Sequence, residues 1–308
     1  MFKASTRGLG AAAAVAALVL LAGCGAGGSG APSGSGTSGD AAGGAVDIPA
    51  VAKDDALAKL VPQEIAADGK IAVGTNAYYP PNEFFDTDNR TVIGMDADLA
   101  RAVGQKLGVP VEFQNTTFDG IIPGLTAGKF EFGISSFFIN PERVATVDMV
   151  SYLNVGTRMG GLKGNPEGLT VETLCGKAVG VQKGTAQVEE LDKRSQKCTA
   201  EGKPAINITQ LQEQTEVNVA LTSKRVSAML ADSPVIYYAT KVTNGAVEPI
   251  GPTYDNTQYG IVLAKNKGQF GEAIQGALRA LVADGTYAKI LEKWNQAEGA
   301  IPAPELKR

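Results

Sequence analysis

Residues 70–143 read KIAVGTNAYYPPNEFFDTDNRTVIGMDADLARAVGQKLGVPVEFQNTTFDGIIPGLTAGKFEFGISSFFINPER. Short apolar runs typical of buried strands alternate in this stretch with longer segments of helical period. A glycine follows each helical segment where helices commonly end, Gly108 after the first and Gly128 after the second. Alternating strands and helices favour an α/β lobe built on a mainly parallel sheet. The predicted strands are residues 70–74, 109–115 and 130–135, and the predicted helices are residues 96–107 and 119–127.

A second alternating set follows and predicts a second α/β lobe. Thr185 and Thr215 are expected to be the N-caps of its first two helices. The strands are predicted at residues 177–181, 205–210, 228–230 and 247–250, and the helices at residues 186–197, 216–222 and 234–243.

The chain is then expected to return to the first lobe. Residues 259–264 alternate like a strand, and helices at residues 268–282 and 286–296 would pack beside it. The chain would therefore cross between the lobes near residues 153–157 and again near residues 252–258. Two crossings make a hinge with a cleft, whereas one crossing would only tether two lobes. An extra helix is expected within residues 51–65, interrupted at Pro62.

The N-terminus is typical of an export signal. Lys3 and Arg7 precede an apolar run at residues 11–21, which is too short for a bilayer that needs about 20 residues. The sequence Leu21-Ala22-Gly23-Cys24 then resembles a lipoprotein cleavage box. Residues 1–23 are therefore predicted to be a lipoprotein signal peptide; an ordinary secretory signal with a chance cysteine is the alternative.

Cys24 would carry the lipid. Residues 24–50 are rich in glycine, serine and alanine, a composition that forms a flexible tether and not a packed core. These features predict an extracytoplasmic protein that is lipid-anchored to the outer face of the cell membrane.

Composition excludes several classes of function. The chain has 28 Lys and Arg residues against 32 Asp and Glu residues, with no basic block, so nucleic acid is not an expected partner. It contains no histidine, which excludes Ser-His-Asp and Cys-His catalysis and histidine-ligated zinc. No cluster of metal ligands is evident, and no metal or cofactor is predicted.

The cysteines predict one disulfide. The chain has 3 cysteines, and lipidation of Cys24 leaves Cys175 and Cys198. An even remainder in an exported protein favours a disulfide, although two free buried thiols remain an alternative. The pair lacks Cys-x-x-Cys spacing, so a redox site is not favoured.

Polar side chains stand at the ends of several predicted strands. In open α/β sheets, ligands bind beyond the carboxyl ends of the strands. A ligand site is therefore expected in the cleft, among residues that include Asn76, Ser135, Ser136, Gln182, Thr185 and Asp232.

The motifs GTNAYYPPNEF, IGMDADLARAVGQKLG, FDGIIPGL and INPER resemble the first lobe of extracellular solute-binding proteins of ABC importers. The branch they resemble is the polar amino acid-binding family, solute-binding protein family 3. The resemblance continues through VGVQKGTAQ, AMLADSP, YGIVLAK and DGTYAKILEKW, from about residue 51 to residue 296.

The resemblance implies an α/β, two-lobe, periplasmic-binding-protein-like (Venus flytrap) fold with two interlobe crossings. Lobe 1 would comprise residues 51–154 and 256–298, lobe 2 residues 155–255, and the C-terminal tail residues 299–308. It also implies that a monomer captures an amino acid or close derivative and delivers it to an ABC permease, without a chemical reaction.

The resemblance assigns a role to most candidate residues. Arg143 matches the arginine that binds the ligand carboxylate, and a guanidinium fork suits a carboxylate because it can pair with both oxygens. Backbone amides at Thr185 and Ala186 would hold the same carboxylate from a helix N-terminus, although a simple turn with an N-cap is an alternative.

The remaining roles concern the ligand's ammonium and aliphatic groups. Asp232 matches the acid that pairs with the ammonium, unless it only caps the following helix. Ser135 and Ser136 could offer oxygens to the same group, or simply end a strand. Tyr79 and Phe118 match the aromatic side chains that cover the aliphatic part.

Three positions depart from the commoner family pattern. Asn76 stands where an acid is common, Phe138 where serine or threonine is usual, and Ala186 where threonine is frequent. Asn76 together with Gln182 favours a ligand with a neutral polar side chain. Phe138 is expected to narrow the site or to stack on the ligand.

Two other functions fit the same fold. An exported dehydratase or a lytic transglycosylase would need a poised acid in the cleft, for which Glu83, Asp119 and Asp232 are the candidates. A ligand-sensing subunit of a membrane receptor fits the sequence as well as an importer component does.

Overall fold

The computed structural model describes residues 50–308. The predicted signal peptide, the lipidation site Cys24 and all of the predicted tether except Ala50 lie outside the described residues. The helices are α1 (Asp55–Ala58), α2 (Gln63–Asp68), α3 (Met95–Leu107), α4 (Phe118–Thr126), α5 (Pro141–Thr146), α6 (Ala186–Ala200), α7 (Gln214–Thr222), α8 (Ser233–Val242), α9 (Phe270–Ala283) and α10 (Thr286–Lys293). The strands are β1 (Ile71–Thr75), β2 (Tyr78–Tyr79), β3 (Glu83–Phe85), β4 (Val92–Ile93), β5 (Val111–Asn115), β6 (Phe132–Phe138), β7 (Val147–Leu162), β8 (Ala178–Gln182), β9 (Asn207–Leu211), β10 (Ala228–Asp232), β11 (Val247–Ala264) and β12 (Leu306–Lys307).

One sheet runs through both lobes, in the strand order β5-β1-β6-β11-β7-β10-β8-β9. In lobe 1, β1 is parallel to β5 and β6, and in lobe 2, β8 is parallel to β9 and β10. The two long strands β7 and β11 pair antiparallel and belong to both lobes. Both expected crossings lie within these strands, so the predicted two-lobe α/β fold is confirmed.

The hinge is therefore a paired ribbon of two strands. The register between β7 and β11 is irregular where they cross, with shifts between Ile250 and Tyr254 and between Tyr254 and Thr257. Gly156 stands at this place, and a Cβ on it would lie 2.6 Å from the carbonyl oxygen of Tyr254. Glycine is needed here because the two backbones approach too closely for a side chain.

Each lobe has its own apolar core. In lobe 1, buried side chains of α3, α9 and α10 pack on the sheet, among them Leu99, Leu278 and Ile290. In lobe 2, one cluster contains Val217 and Ile236, and another contains Val179 and Leu191. Separate cores allow the lobes to move as units about the ribbon that joins them.

The central strands extend further than the sequence pattern predicts. β6 continues to Phe138 and β10 to Asp232, where Ser135 and Leu230 were the expected last residues. Every residue of both strands is buried, so the polar side chains at their ends lie inside the protein. The polar residues of β6 therefore do not mark a transition from strand to loop.

Other differences are local. The helix expected within residues 51–65 is divided into α1 and α2, with Pro62 as the N-cap of α2. The prediction of Thr215 as an N-cap is wrong, because α7 begins at Gln214 and Glu213 is its N-cap. Glu213 and Glu216 form a capping box, in which each side chain accepts the other's backbone amide.

Two small elements were not predicted. Strands β2, β3 and β4 form a separate antiparallel sheet after β1. The expected C-terminal tail contains β12, which pairs with β7 through Leu306 and Val150. Among the described residues, no helix is long and apolar enough to cross a membrane.

Candidate ligand-binding site

A small cavity lies between the lobes, at the carboxyl ends of β1, β6, β8 and β10. Its volume is only about 10 Å³, so the lobes are closed on it. The structure brings all the ligand-binding candidates to this cavity and adds Glu83 and Gln187. The candidates are Asn76, Tyr79, Phe118, Ser135, Ser136, Phe138, Arg143, Gln182, Thr185, Ala186 and Asp232.

Arg143 is placed by the first turn of α5. The side chain of Asn140 caps this helix by accepting the amide of Arg143 at 2.8 Å. The guanidinium donates to the carbonyl of Phe138 at 2.9 Å and to that of Gly184, in lobe 2, at 3.3 Å. It also lies over the rings of Phe118 and Phe137, at 5.5 and 5.3 Å from their centroids.

The charge of Arg143 has no acidic partner in ion-pair contact within residues 50–308. Burial lowers the pKa of Arg143, but an arginine keeps its proton at any physiological pH. A half-buried cation held only by carbonyl groups and aromatic rings is suited to receive a carboxylate.

The N-terminus of α6 faces Arg143 across the cleft. Thr185 occupies the N-cap position, but its hydroxyl donates to the carbonyl of Gln182 at 2.8 Å and caps no amide. The first amides of α6 therefore have no side-chain cap. Gly184 allows the lobes to approach, because a Cβ on it would lie 2.9 Å from the Cβ of Asp119.

Asp232 ends β10 and is almost wholly buried. It accepts hydrogen bonds from the hydroxyl of Tyr259 at 2.7 Å and from the amide of Gln187 at 2.8 Å. Its side chain makes no capping bond to α8, so N-capping does not account for its position. Burial raises the pKa of Asp232 to about 7, against the lowering effect of its hydrogen bonds and of Arg143. A cation beside this carboxylate would favour its charged form.

The two serines of β6 are already engaged with an acid. The hydroxyl of Ser135 donates to Glu83 at 2.8 Å and accepts the amide of Asn76 at 3.0 Å. The hydroxyl of Ser136 lies 3.2 Å from the other carboxyl oxygen of Glu83 and accepts from Asn82 at 2.8 Å. Ser136 has a φ of 56°, in the left-handed region, which turns the strand at the floor of the cavity.

Aromatic rings enclose the middle of the cavity. Phe118 stacks on Phe137 at 4.6 Å, and Phe138 packs against Tyr259 at 5.9 Å. Tyr79 is buried, and its hydroxyl accepts the amide of Asp232 at 3.3 Å. These rings exclude water, which strengthens charge interactions inside the cavity.

The lobes also meet through polar side chains at the end of the cavity that contains Asn76. The amide of Asn76 donates to Glu213 of lobe 2 at 2.8 Å and accepts from Gln182 at 2.9 Å. Nearby, Asp119 pairs with Lys183 of lobe 2 at 2.8 Å. Glu213 itself was not predicted, and its pKa is raised by burial.

These features are shared with a known family. The family model of the bacterial extracellular solute-binding proteins, family 3, matches residues 71–297. The chain belongs to this family. Its members are extracellular, and the fold, the cleft and the order of the motifs all agree with membership.

Similar proteins bind amino acids. The chain is 31% identical over 243 residues to the arginine-binding protein ArgT of Corynebacterium glutamicum, covering 79% of each chain. It resembles the structure of an ancestral arginine-binding protein bound to arginine, with a TM-score of 0.68, 36% identity and coverage of 73% of this chain and 98% of that one. It also resembles the ancestral amino acid-binding protein AncCDT-1, a precursor of cyclohexadienyl dehydratase, with a TM-score of 0.66, 33% identity and coverage of 77% and 99%. The relatives and solved structures that this chain resembles are thus amino acid-binding proteins.

Proposed function

We propose that this solute-binding protein captures a cationic amino acid, arginine above all, and delivers it to an ABC permease. The observation that carries the proposal is the pair of opposite charges at the cavity, Arg143 from lobe 1 and Asp232 from lobe 2. The guanidinium of Arg143 forms no ion pair within the described residues. Burial raises the pKa of Asp232 to about 7, so a cation beside this carboxylate would favour its charged form. A zwitterionic amino acid supplies the missing partner to each, a carboxylate for Arg143 and an ammonium for Asp232.

A cationic side chain is favoured by Glu213. The sequence pattern favoured a neutral side chain, because Asn76 replaces the acid that is common at its position. The structure places Glu213 of lobe 2 in contact with Asn76, so an acid of the other lobe stands directly behind this residue, although it does not itself line the cavity. Asp119 lies nearby, but Lys183 already balances its charge. Two proteins that the chain resembles are named as arginine-binding proteins, and a cationic side chain near Glu213 is consistent with such a ligand.

Contacts that form only on closure explain how the ligand would close the protein. Arg143, Phe118 and the serines belong to lobe 1, whereas Asp232, Gln187 and Glu213 belong to lobe 2. A ligand bound to lobe 1 gains the second set only in the closed form. That difference in affinity shifts the population toward the form that the permease would recognise.

Arginine and citrulline provide the sharpest test, because they have nearly the same shape but only arginine is cationic. We expect the soluble chain from residue 45 to bind arginine about 10- to 100-fold more tightly than citrulline, since a hydrogen bond to a charged group is worth about 1.5–3 kcal/mol. Glu213→Gln should remove most of this preference by weakening arginine alone. Titration calorimetry measures both affinities, and mass spectrometry should recover the ligand unchanged.

The control is Glu201→Gln, which removes a carboxylate of lobe 2 that pairs with Lys203 at the far end of α6. It should leave both affinities unchanged. Equal affinity of the wild type for arginine and citrulline would contradict the cationic ligand. Binding of glutamine in preference to both would return the assignment to a neutral polar side chain.

The protein is proposed to act as a monomer, lipid-anchored to the outer face of the cell membrane. The cleavage box and the tether support the anchor. Cys24→Ser should release the protein from the membrane fraction of its own cells into the surrounding fluid, and Cys24 should carry labelled palmitate in the wild type. Membrane retention of Cys24→Ser without label would contradict the anchor.

An enzymatic activity is a weaker alternative. The likeness to AncCDT-1 and the buried acids Glu83 and Asp232 are the observations in its favour. Both acids are bound by neighbouring hydroxyl and amide groups that suit a binding site equally well. A ligand-sensing subunit would use the same closure and differ only in its membrane partner.

A further inference from the structure

Two carboxyl groups lie together behind the serines of the cavity floor. Glu83 is 1% exposed and belongs to β3, and Asp96 is 0% exposed and lies in the first turn of α3. The hydroxyl of Ser136 lies within hydrogen-bonding distance of both, 3.2 Å from Glu83 and 3.4 Å from Asp96. Gly94 holds the two segments close, because a Cβ on it would lie 2.1 Å from the carbonyl oxygen of Asn82.

The hydrogen-bond donors around Glu83 and Asp96 are too few to stabilise two ionised carboxylates. One oxygen of Asp96 accepts from the amide of Ser136 and from the hydroxyl of Tyr152, each at 2.9 Å. Its other oxygen has no partner among residues 50–308, and within that range neither acid forms an ion pair. A proton held by the pair satisfies the remaining oxygen and removes one of the two charges.

The electrostatic surroundings agree with one shared proton. Burial, followed by the charge of Asp96, raises the pKa of Glu83 well above its ordinary value. Burial also raises the pKa of Asp96, to about 6, against the lowering effect of hydrogen bonds with Glu83, Tyr152 and Ser136. The pair of Glu83 and Asp96 therefore holds one proton between its two carboxyl groups at neutral pH.

Only Glu83 of this pair reaches the cavity. A chain of contacts joins it to the acid on the opposite side: Ser136 and Tyr259 both accept from the amide of Asn82, and Tyr259 donates to Asp232. Asp96, Asp232, Arg143 and the tyrosines Tyr79, Tyr152 and Tyr259 are the titratable groups around this space within the described residues. The space between Glu83 and Asp232 is where the ligand ammonium would bind.

We propose that Glu83 is a second acidic partner of the ligand's α-amino group, and that the carboxyl pair of Glu83 and Asp96 releases its proton to solvent when that group binds. The proposal rests on the proposed function, since it needs an amino acid as ligand. An ammonium has three donors, and Phe138 offers no side-chain oxygen where a hydroxyl would be expected. The ionised Glu83 supplies that acceptor, and the incoming ammonium replaces the proton that the carboxyl pair held, so the charge of the site is conserved.

Proton release can be counted by calorimetry. We expect arginine binding at pH 8 to give a heat that changes with the ionisation enthalpy of the buffer, corresponding to about one proton released per ligand. Asp232, with a pKa of about 7, is already largely ionised at that pH, and the raised pKa values of the tyrosines keep them neutral, so the released proton is expected to come from the carboxyl pair. The dissociation constant should also fall by up to about tenfold between pH 7.5 and pH 8.5, because proton release favours binding at higher pH.

Glu83→Gln is the decisive variant, because glutamine has nearly the same size and its oxygen can accept one of the two serine hydroxyls, but it cannot share a proton with Asp96. It should bind arginine more weakly at pH 8.5, with a buffer-independent heat and a flat pH profile. The matched control is Glu112→Gln, an exposed glutamate of lobe 1 that pairs with Lys70. It should behave as the wild type does.

The number of protons that the wild type releases on binding arginine tests the proposal even if Glu83→Gln fails to fold. Arginine binding by the wild type with no proton released at pH 8 would overturn the role of Glu83 and leave the proposed function intact. Equal proton release by a folded Glu83→Gln would overturn it as well. Absence of binding heat with every amino acid would overturn both proposals together.

Discussion

Replacement of Arg143 by alanine is expected to remove most of the ligand affinity and to leave the fold intact. The guanidinium is half-buried beside the cavity and is held by two backbone carbonyls and two aromatic rings. Loss of one partner from a buried, hydrogen-bonded charge pair costs about 2–5 kcal/mol, which corresponds to about 30- to 4,000-fold in the dissociation constant. The ligand-free protein has no ion pair to lose there, so its melting temperature should change little.

Two further variants separate charge from geometry. Arg143→Lys keeps the charge but loses the planar fork, so it should recover only part of the affinity. Arg158→Ala is the matched control, because Arg158 also lies over an aromatic ring, that of Tyr237 at 5.0 Å, but does not line the cavity. Affinity close to that of the wild type in Arg143→Ala would show that the ligand carboxylate binds elsewhere.

Removal of the disulfide should produce the largest loss of stability. Cys175 and Cys198 are bonded with a sequence separation of 23, joining the segment before β8 to the last turns of α6. Closing a loop of this length is worth about 3 kcal/mol on the chain-entropy model. The double variant Cys175→Ala with Cys198→Ala should therefore melt about 6–12 °C lower, because 1 kcal/mol corresponds to about 2–4 °C at this size. Thermal unfolding followed by circular dichroism measures the shift.

Ligand binding provides the control for this variant. Neither cysteine lines the cavity, so the affinity for the ligand should stay within about twofold at a temperature where the variant is folded. Reduction of the wild type should reproduce the lower melting temperature without any substitution. An unchanged melting temperature on reduction would mean that the native state of the reduced chain compensates fully for the lost cross-link.

The position of most candidate residues could be predicted from the sequence because it follows from topology. Asn76, Gln182 and Asp232 come directly after or at the end of apolar runs, and the carboxyl ends of neighbouring parallel strands meet at one edge of a sheet. The family resemblance then assigned roles to Arg143 and Tyr79. None of these placements required knowledge of how far the lobes close.

The proposed ligand-binding roles of Glu213 and Glu83 could not be predicted in the same way, although Glu83 was a candidate acid for an enzyme. Glu213 contacts Asn76 across 137 positions in the sequence, and the contact exists because the lobes are closed. The sequence predicts Thr215 as the N-cap of this helix, but α7 begins at Gln214 and Glu213 is its N-cap. Glu83 lies in a three-residue strand after Pro81, where an acid is ordinarily exposed, and only the packing of α3 above it buries the carboxyl group.

The ribbon of β7 and β11 has a mechanical consequence. Because the two strands remain paired on both sides of the crossing, the lobes cannot rotate independently about a single bond. Bending is expected to concentrate where the register shifts, between Ile250 and Thr257, since fewer ladder bonds resist it there. The hinge should therefore bend mainly in one direction. The two halves of the binding site should then return to the same alignment each time the lobes close.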